Sequence, residues 1–512
     1  MKQDSNTPNV KRKHKKTSAL KRIRQIVAAI SIAMVTLLFL DFTGVTHAWF
    51  GWMAKIQFLP AVLSLNLAVV AALIVLTLIF GRLYCSVICP LGIMQDGFGW
   101  LGKKSKKNRY SYSAPKNVLR YTLLAVMVIA IIAGIGAVVA LLAPYSAYGR
   151  IAQSLLSPVW QWGNNLLASW AESRESYEFY TVDIWLRGGI TIGVATATLI
   201  ILGVLAWRNG RTYCNTICPV GTVLGFLSRF SLLKPVIDTS KCNGCGLCAR
   251  NCKAACINSK EHTIDYSRCV TCFDCLDKCH KGAISYARRP ATVVTNQSGK
   301  EVTDSSRRGF MTVTAAIAAS AAIQAQEKTV DGGLAVIVDK KRPKRKTKIV
   351  PPGAKSIKNL ESHCTACQLC VAACPNGVLR PSTALDSLMQ PESSYERGYC
   401  RPECTRCSDV CPAGAISPIT VADKSSVQIG HAVWVKDNCV PLTDGVECGN
   451  CARHCPVGAI TMVTSDNDNP DSPKIPVVNT ERCIGCGACE NLCPARPFSA
   501  IYVEGHEVHR VI

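Results

Sequence analysis

Cys242-Asn-Gly-Cys-Gly-Leu-Cys-Ala-Arg-Asn-Cys252 decides how this chain is read. Four thiols stand at C-x2-C-x2-C-x3-C spacing, and the spacing recurs. Cys269, Cys272, Cys275 and Cys279 repeat it, as do Cys364, Cys367, Cys370 and Cys374. Cys483, Cys486, Cys489 and Cys493 form another copy. Two quartets have a widened first gap: Cys400, Cys404, Cys407, Cys411, and Cys439, Cys448, Cys451, Cys455. Three closely spaced thiolates can wrap three irons of a cubane 4Fe–4S cluster, and the fourth reaches the cluster of the paired motif. Six clusters follow. Cys242, Cys245, Cys248 and Cys279 hold one; Cys269, Cys272, Cys275 and Cys252 the next. Cys364, Cys367 and Cys370 take Cys411, while Cys400, Cys404 and Cys407 take Cys374. Cys439, Cys448 and Cys451 take Cys493, and Cys483, Cys486 and Cys489 take Cys455. The runs at Gly282, Gly414 and Gly458, each Gly-Ala-Ile, fit the ferredoxin pattern.

Zinc prefers separated C-x2-C pairs, and disulfides need an oxidising compartment and give no reason for the period. No C-x2-C-H stretch offers a covalent haem site. Lys253 and His280 stand where proline is usual. Cys256, the odd thiol, reads as a packed small residue that could also compete with Cys252.

Outward from the thiols, the chain has 512 residues, 48% hydrophobic and only 18% charged, which excludes a disordered chain and argues against a purely soluble one. Four apolar runs approach or exceed the roughly 20 residues of a membrane helix: Ile26–Phe42, Leu59–Phe80, Tyr121–Leu142 and Gly188–Trp207. The tail before Ile26 carries nine Lys/Arg and the connection 81–120 carries eight; 41–58 carries one and 143–187 three. The positive-inside bias puts the first two in the cytoplasm. The formal charge of +24 therefore reads as topology, not nucleic-acid binding.

Gly81-Arg-Leu-Tyr-Cys-Ser-Val-Ile-Cys-Pro-Leu-Gly92 recurs as Gly210-Arg-Thr-Tyr-Cys-Asn-Thr-Ile-Cys-Pro-Val-Gly221. Cys85/Cys89 and Cys214/Cys218 are spaced for one helical face. Two readings stand: the four thiols meet and hold an additional metal or cluster, or they are metal-free thiol pairs. No catalytic acid–base set stands out. Arg82, Arg211 and Asp96 could touch a quinone head group inside, and His47 outside; topology anchors or helix caps are the plainer reading.

Residues 290–360 break the thiol pattern. Ser306-Arg-Arg-Gly-Phe-Met311 and the Ala-rich Thr312–Gln324 look like a mid-chain twin-arginine signal. As an uncleaved fifth helix it would place residues 330–512 outside the cell membrane, the favoured reading; a relic of gene fusion is the other.

Residues 1–290 resemble the NapH family of membrane quinol-dehydrogenase-type ferredoxin proteins. Residues 300–512 resemble the exported four-cluster NapG family, with matches at Pro351-Pro-Gly-Ala354 and Gly430-His-Ala-Val-Trp-Val435. The resemblance implies a fusion in the bacterial inner membrane that takes electrons from the quinone pool. A c-type cytochrome or a periplasmic reductase, such as nitrate reductase, would receive them. Related modules serve nitrous oxide reduction, methylamine oxidation and copper handling.

The expected architecture is multidomain: a basic cytoplasmic tail (1–25), an α-helical membrane bundle with both repeats (26–232), and a linker (291–350). Three α+β modules of the bacterial two-cluster ferredoxin type complete it (233–290, cytoplasmic; 351–420; 421–512). The expected function is quinol-dehydrogenase-like electron transfer through six 4Fe–4S clusters. A maturation reductase for a partner metalloenzyme, or a membrane-tethered cytoplasmic polyferredoxin, are the alternatives.

Overall fold

The computed structural model describes residues 8–104, 110–176, 178–184, 186, 188–288 and 338–512, with side chains from residue 19 onward. The twin-arginine segment and the expected fifth helix lie outside the described residues.

Two helices are long and apolar enough to cross a membrane. One is the Ala19–Leu40 part of α1 (Pro8–Leu40); the other is α8 (Gly189–Asn209). The remaining two expected spans are broken. The run 59–80 divides into α2 (Phe58–Leu63) and α3 (Leu67–Phe80), because Leu65 takes φ 53° and the Asn66 side chain caps α3 by accepting from Val69 N at 3.2 Å. The run 121–142 divides into α5 (Asn117–Ile132) and α6 (Gly136–Leu142), with Gly134 at φ 72° between them. Helix α7 (Pro144–Ile151) follows at once, every residue buried. Hydropathy registers the apolar run but not a cap inside it. At 1.5 Å per residue, the 14 residues of α3 and 16 of α5 measure roughly 21 and 24 Å.

Each repeat follows the second helix of its half and leads into a further helix, α4 (Pro90–Lys104) or α9 (Pro219–Ser228). Gly81 and Gly210 both take positive φ, 75° and 66°, where the helix stops and the chain folds back.

The thiol arrays fold into small two-stranded sheets and short helices. In the first module β1 (Leu233–Ile237) pairs with β4 (Ile284–Arg288), and β2 (Ile257–Asn258) with β3 (Thr263–Ile264). In the second, β5 (Leu379–Pro381) pairs with β6 (Pro391–Ser393). In the third, β7 (Val427–Trp434) pairs with β10 (Ile501–Val511), and β8 (Ile460–Thr464) with β9 (Lys474–Val478). All pairs are antiparallel.

The second and third modules share one interface. Tyr395 is fully buried, donates from its hydroxyl to Gly485 O at 2.7 Å, and lies against Gly487. A strap at residues 338–350 crosses both modules. Lys340 Nζ donates to the carbonyls of Glu490 and Asn491 at 2.6 and 2.7 Å, and Arg345 pairs with buried Glu490 at 2.5 Å.

The first two modules sit at opposite ends of α1. Near its start, Lys21 pairs with Asp274 and Asp277 of α10 (Asp274–Asp277) at 3.2 and 3.0 Å. Near its end, Phe39 packs on Tyr145 and Tyr148 of α7 and against Gly149. A Cβ on Gly149 would overlap the carbonyl oxygen of Cys367, beside α11 (Leu369–Ala373) in the second module. Ser146 Oγ donates to Thr365 O, and Gly44, Ser64 and Gly136 touch Arg406, Gly414 and Gln390. From Lys21 to Phe39 is roughly 27 Å along a helix, close to the ~30 Å hydrocarbon thickness of a bilayer.

Gly487 sits at φ 80° with the Tyr395 ring where a Cβ would be. Gly487→Ala is expected to cost about 2–4 kcal/mol from overpacking plus the left-handed backbone. Thermal unfolding of the purified full chain measures it; an unchanged midpoint would contradict the packing described.

Candidate redox site

Each regular quartet uses the same backbone. The residues just before and just after the second cysteine are left-handed in all four: Gly244 and Gly246, Thr271 and Phe273, Ala366 and Gln368, Gly485 and Gly487. Four of these eight are not glycine, so each carries a local cost of about 1–3 kcal/mol that the surroundings must hold in place. Four separate loops accept the same strained path. A path of this kind turns the chain sharply on both sides of the second cysteine. Gly282, Gly414 and Gly458 likewise take positive φ, 63°, 69° and 59°. They turn backbone N–H groups onto the fourth cysteines: Ala283 N to Cys279 Sγ at 3.2 Å, Ile416 N to Cys411 Sγ at 3.4 Å, Ala459 N to Cys455 Sγ at 3.2 Å. Such donors stabilise thiolate and tune cluster potential.

Thiols of neighbouring quartets lie close to one another. Burial raises the Cys275 thiol first, and Cys272, Cys269 and Cys252 raise it further. Cys370 is raised by burial and then by Cys367, Cys364 and Cys411. Burial, followed by Cys400, Cys374 and Cys404, acts on Cys407. Cys451 is pushed up to about 11 by burial and by Cys448, Cys493 and Cys439. Cys486 is pushed up to about 12 by burial, then Cys483, Cys455 and Cys400. In the first quartet Cys242 and Cys245 act on Cys248 after burial. Burial is the largest cause in every case, and the neighbouring thiols add to it.

The quartets also adjoin one another. Cys370 lies near Cys407, Cys400 N donates to Cys486 O at 2.9 Å, and Cys489 lies near Cys451. Space therefore inverts the chain order in the third module: the Cys483 quartet meets the second module, and the Cys439 quartet lies beyond it.

The two membrane-proximal repeats meet. Cys85, Cys89, Cys214 and Cys218 are all buried in one cluster. Burial, then Cys214 and Cys85, raises Cys89; burial, then Cys214 and Cys89, raises Cys218. The arginines cross over. Arg82 Nη2 donates to Cys214 O at 3.1 Å, and Arg211 Nη1 to Cys85 O at 2.7 Å. Each also approaches the thiol of its own repeat, at 3.8 and 3.9 Å. A Cβ on Gly92 or Gly221 would strike the crossing guanidinium, so both glycines admit it. Gln95 Nε2 adds a bond to Cys214 Sγ at 3.3 Å. Among the described residues, no three His, Cys, Asp or Glu side chains are drawn tight enough to hold a single ion.

Several sequence expectations are refined here. Lys253, in a proline's place, pairs with Asp96 at 2.7 Å and Asp274 at 3.4 Å, and its carbonyl accepts from Arg211 N at 2.8 Å. It fastens the first module to the bundle. Cys256 is more than a small residue: its sulfur lies 3.5 Å from Cys252 Sγ, and it also bonds Cys269. An extra cysteine four residues after Cys252 was the available signal. His47 pairs with Asp41 at 3.2 Å, away from both repeats. Asp96 lies beside them, held by Arg211, Lys253 and Arg24 at 2.7, 2.7 and 3.1 Å. Arg150 was not singled out by sequence; it is fully buried in α7, where it donates to Ala140 O.

Comparison with known proteins gives matches confined to parts of the chain. A family model described as a 4Fe–4S binding domain matches residues 64–108 and 191–237, the two repeats with their flanks. Another 4Fe–4S binding domain matches 360–380, and a 4Fe–4S dicluster domain matches 446–496. An uncharacterized protein of Methanocaldococcus jannaschii is 37% identical over 19% of this chain and 41% of its own length. The putative electron transport protein YccM of Escherichia coli is 25% identical over 43% of this chain and 55% of its own. The ferredoxin-type protein NapH of Escherichia coli is 26% identical over 45% of this chain and 70% of its own. The chain thus spans about half the length of the first two. No solved structure matches. The chain thus carries 4Fe–4S binding domains, is similar over part of its length to NapH and YccM, and has a helical amino-terminal region with two helices long and apolar enough to cross a membrane.

Burial pushes the Asp96 carboxyl up, but Arg211, Lys253 and Arg24 outweigh it and hold it well below its usual range. A carboxyl lowered in the folded state stabilises the fold above its unfolded pKa of about 4, and loses that contribution as pH falls further. Asp96→Asn is expected to cost about 3 kcal/mol by leaving three cations short of a partner. It should also flatten the loss of stability below about pH 4. Thermal unfolding of both proteins across pH checks both points.

Proposed function

We propose that the chain is a multi-pass inner-membrane electron conduit that carries electrons from quinol, through six 4Fe–4S clusters, across the bilayer to a redox protein outside. The quartets hold the clusters as assigned from spacing. The clusters supply one-electron storage; the chain fixes their order and tunes them by burial and N–H···S bonds. A quinol surrenders two electrons and two protons, so each electron passes singly into an oxidised cluster.

One observation carries the transmembrane reading: α1 is gripped by one module at Lys21 and by another at Phe39, a membrane thickness apart. With the basic tail and the 81–120 connection inside, residues 233–288 lie in the cytoplasm and 338–512 outside. A NapG-like exported half accords with that placement, and a cytochrome or periplasmic reductase is then the class of acceptor.

The four meeting thiols occupy the stretch between the first two modules. Arg82, Arg150 and Arg211 are fully buried, and among the described residues Arg82 and Arg150 have no carboxylate partner. Buried cations need counter-charge. Thiolates carrying an anionic cluster would provide it, whereas neutral thiols would not. A seventh centre at Cys85, Cys89, Cys214 and Cys218 is therefore our reading of the repeats.

Two measurements test this function. Anaerobically purified full chain is expected to hold about 28 irons, with about four lost in a Cys214→Ser/Cys218→Ser variant, since each cubane carries four. A value of about 24, unchanged by the variant, would leave the repeats metal-free. A reporter fused after residue 350 should act outside the membrane. Cytoplasmic activity there would return the chain to a tethered polyferredoxin.

A further inference from the structure

The cytoplasmic end of the bundle carries a cleft of about 650 Å³ between α1 and α4. That size suits a ring-sized head group with part of a tail. Its walls change character along their length. Ala28, Ala29 and Ile32 of α1 form an apolar side; Arg24 and Asp96 lie at the charged end. Gln95 lines the same cleft and is only 1% exposed. Its amide nitrogen is spent on Cys214 Sγ, yet its carbonyl oxygen Oε1 has no partner. Nε of Arg24, also buried, is likewise unpartnered. An unmet buried acceptor costs about 1–3 kcal/mol, so a ligand that donates to it is favoured.

We infer that this cleft is the quinol head-group site, with Gln95 as the residue that joins it to the four-thiol centre. The inference rests on the quinol reading above and goes further by giving it a place. Two ligand classes fit an amphipathic, cation-bearing cleft at a membrane face. An anionic phospholipid head presents phosphate acceptors, and its donors sit apart from them on a flexible glycerol or amine arm. A dihydroxyarene carries both: one hydroxyl donates to Gln95 Oε1, and an oxygen of the ring accepts from Arg24 Nε. The isoprenoid tail leaves between Ala29 and Ile32 toward lipid. On oxidation both O–H bonds break. The two electrons would go one at a time to oxidised iron–sulfur centres held by this chain's thiols, of which Cys214 lies beside Gln95. The two protons pass to water at the charged mouth, and the quinone departs by the apolar side.

Gln95 is thus a binding residue with one hand on the donor and the other on a thiol of the proposed centre. Arg211 and Arg82, which the sequence also offered as head-group contacts, position the thiols instead.

The test uses the full chain in phosphatidylcholine nanodiscs, oxidised and anaerobic, with duroquinol as the probe. Cluster bleaching is followed after mixing, and dithionite is run in parallel. Ala29→Trp, on an exposed position, fills the cleft from the lipid side. Gln95→Leu removes the acceptor. Each is expected to slow bleaching by duroquinol at least about ten-fold, the effect of about 1.4 kcal/mol, while iron content and dithionite bleaching stay as in the parent. If the parent itself is bleached by dithionite but not by duroquinol, the quinol reading falls and the site falls with it. If the parent responds and both variants match it, quinol is oxidised elsewhere and this cleft is not the site. Loss of a co-purified anionic phospholipid from Ala29→Trp, with the rate unchanged, would make the cleft a lipid seat and overturn the inference.

Discussion

The bundle hangs on a reciprocal clamp: Arg82 bonds the carbonyl of Cys214, and Arg211 that of Cys85. Neither guanidinium could reach its target if Gly92 and Gly221 carried side chains. The crossing makes each repeat complete the other, so neither thiol pair has its geometry without its counterpart. The same two arginines reach outward. Arg211 ties Asp96, and through it Lys253; Arg82 bonds Ser267 O in the first module. One pair of cations therefore sets the thiol cluster, the junction of the two halves and the seat of the nearest ferredoxin module.

Much of this was legible beforehand. Regular cysteine spacing announces a wrapped cofactor because a short loop can reach around a cubane only at certain intervals. Around Cys275, Cys370, Cys407, Cys451 and Cys486, thiols of neighbouring quartets lie together. The meeting of the two repeats was open in the sequence, which states periodicity but not proximity. Hydropathy overestimated the continuity of two spans, because Asn66 and Gly134 act through local hydrogen bonding and backbone conformation that a sliding average smooths away. Lys253 looked like a flaw in the ferredoxin pattern. Its role depends on Asp96, more than 150 residues earlier, and no local rule could supply that partner. Arg150 escaped attention because a lone arginine beside an apolar run ordinarily marks a membrane edge.

Placement of the cleft beside Gln95 shows how binding and relay can share one side chain. An amide has two ends of opposite hydrogen-bonding sense, and here one end is engaged by sulfur while the other is buried without a partner. A glutamate there would repel a thiolate, and a leucine would contact neither neighbour usefully. Residue type, burial and orientation together give the position a meaning that none of them gives alone.

The pairing of β7 with β10 joins residues 427–434 to 501–511, almost the last of the sequence. That pairing closes the module on itself, so its loops are not independent of one another. Translation proceeds from the amino end, so β7 gains its partner only after roughly 70 further residues have been made. A chain ending at residue 500 would leave β7 with a bare edge, an open template for a strand from another molecule.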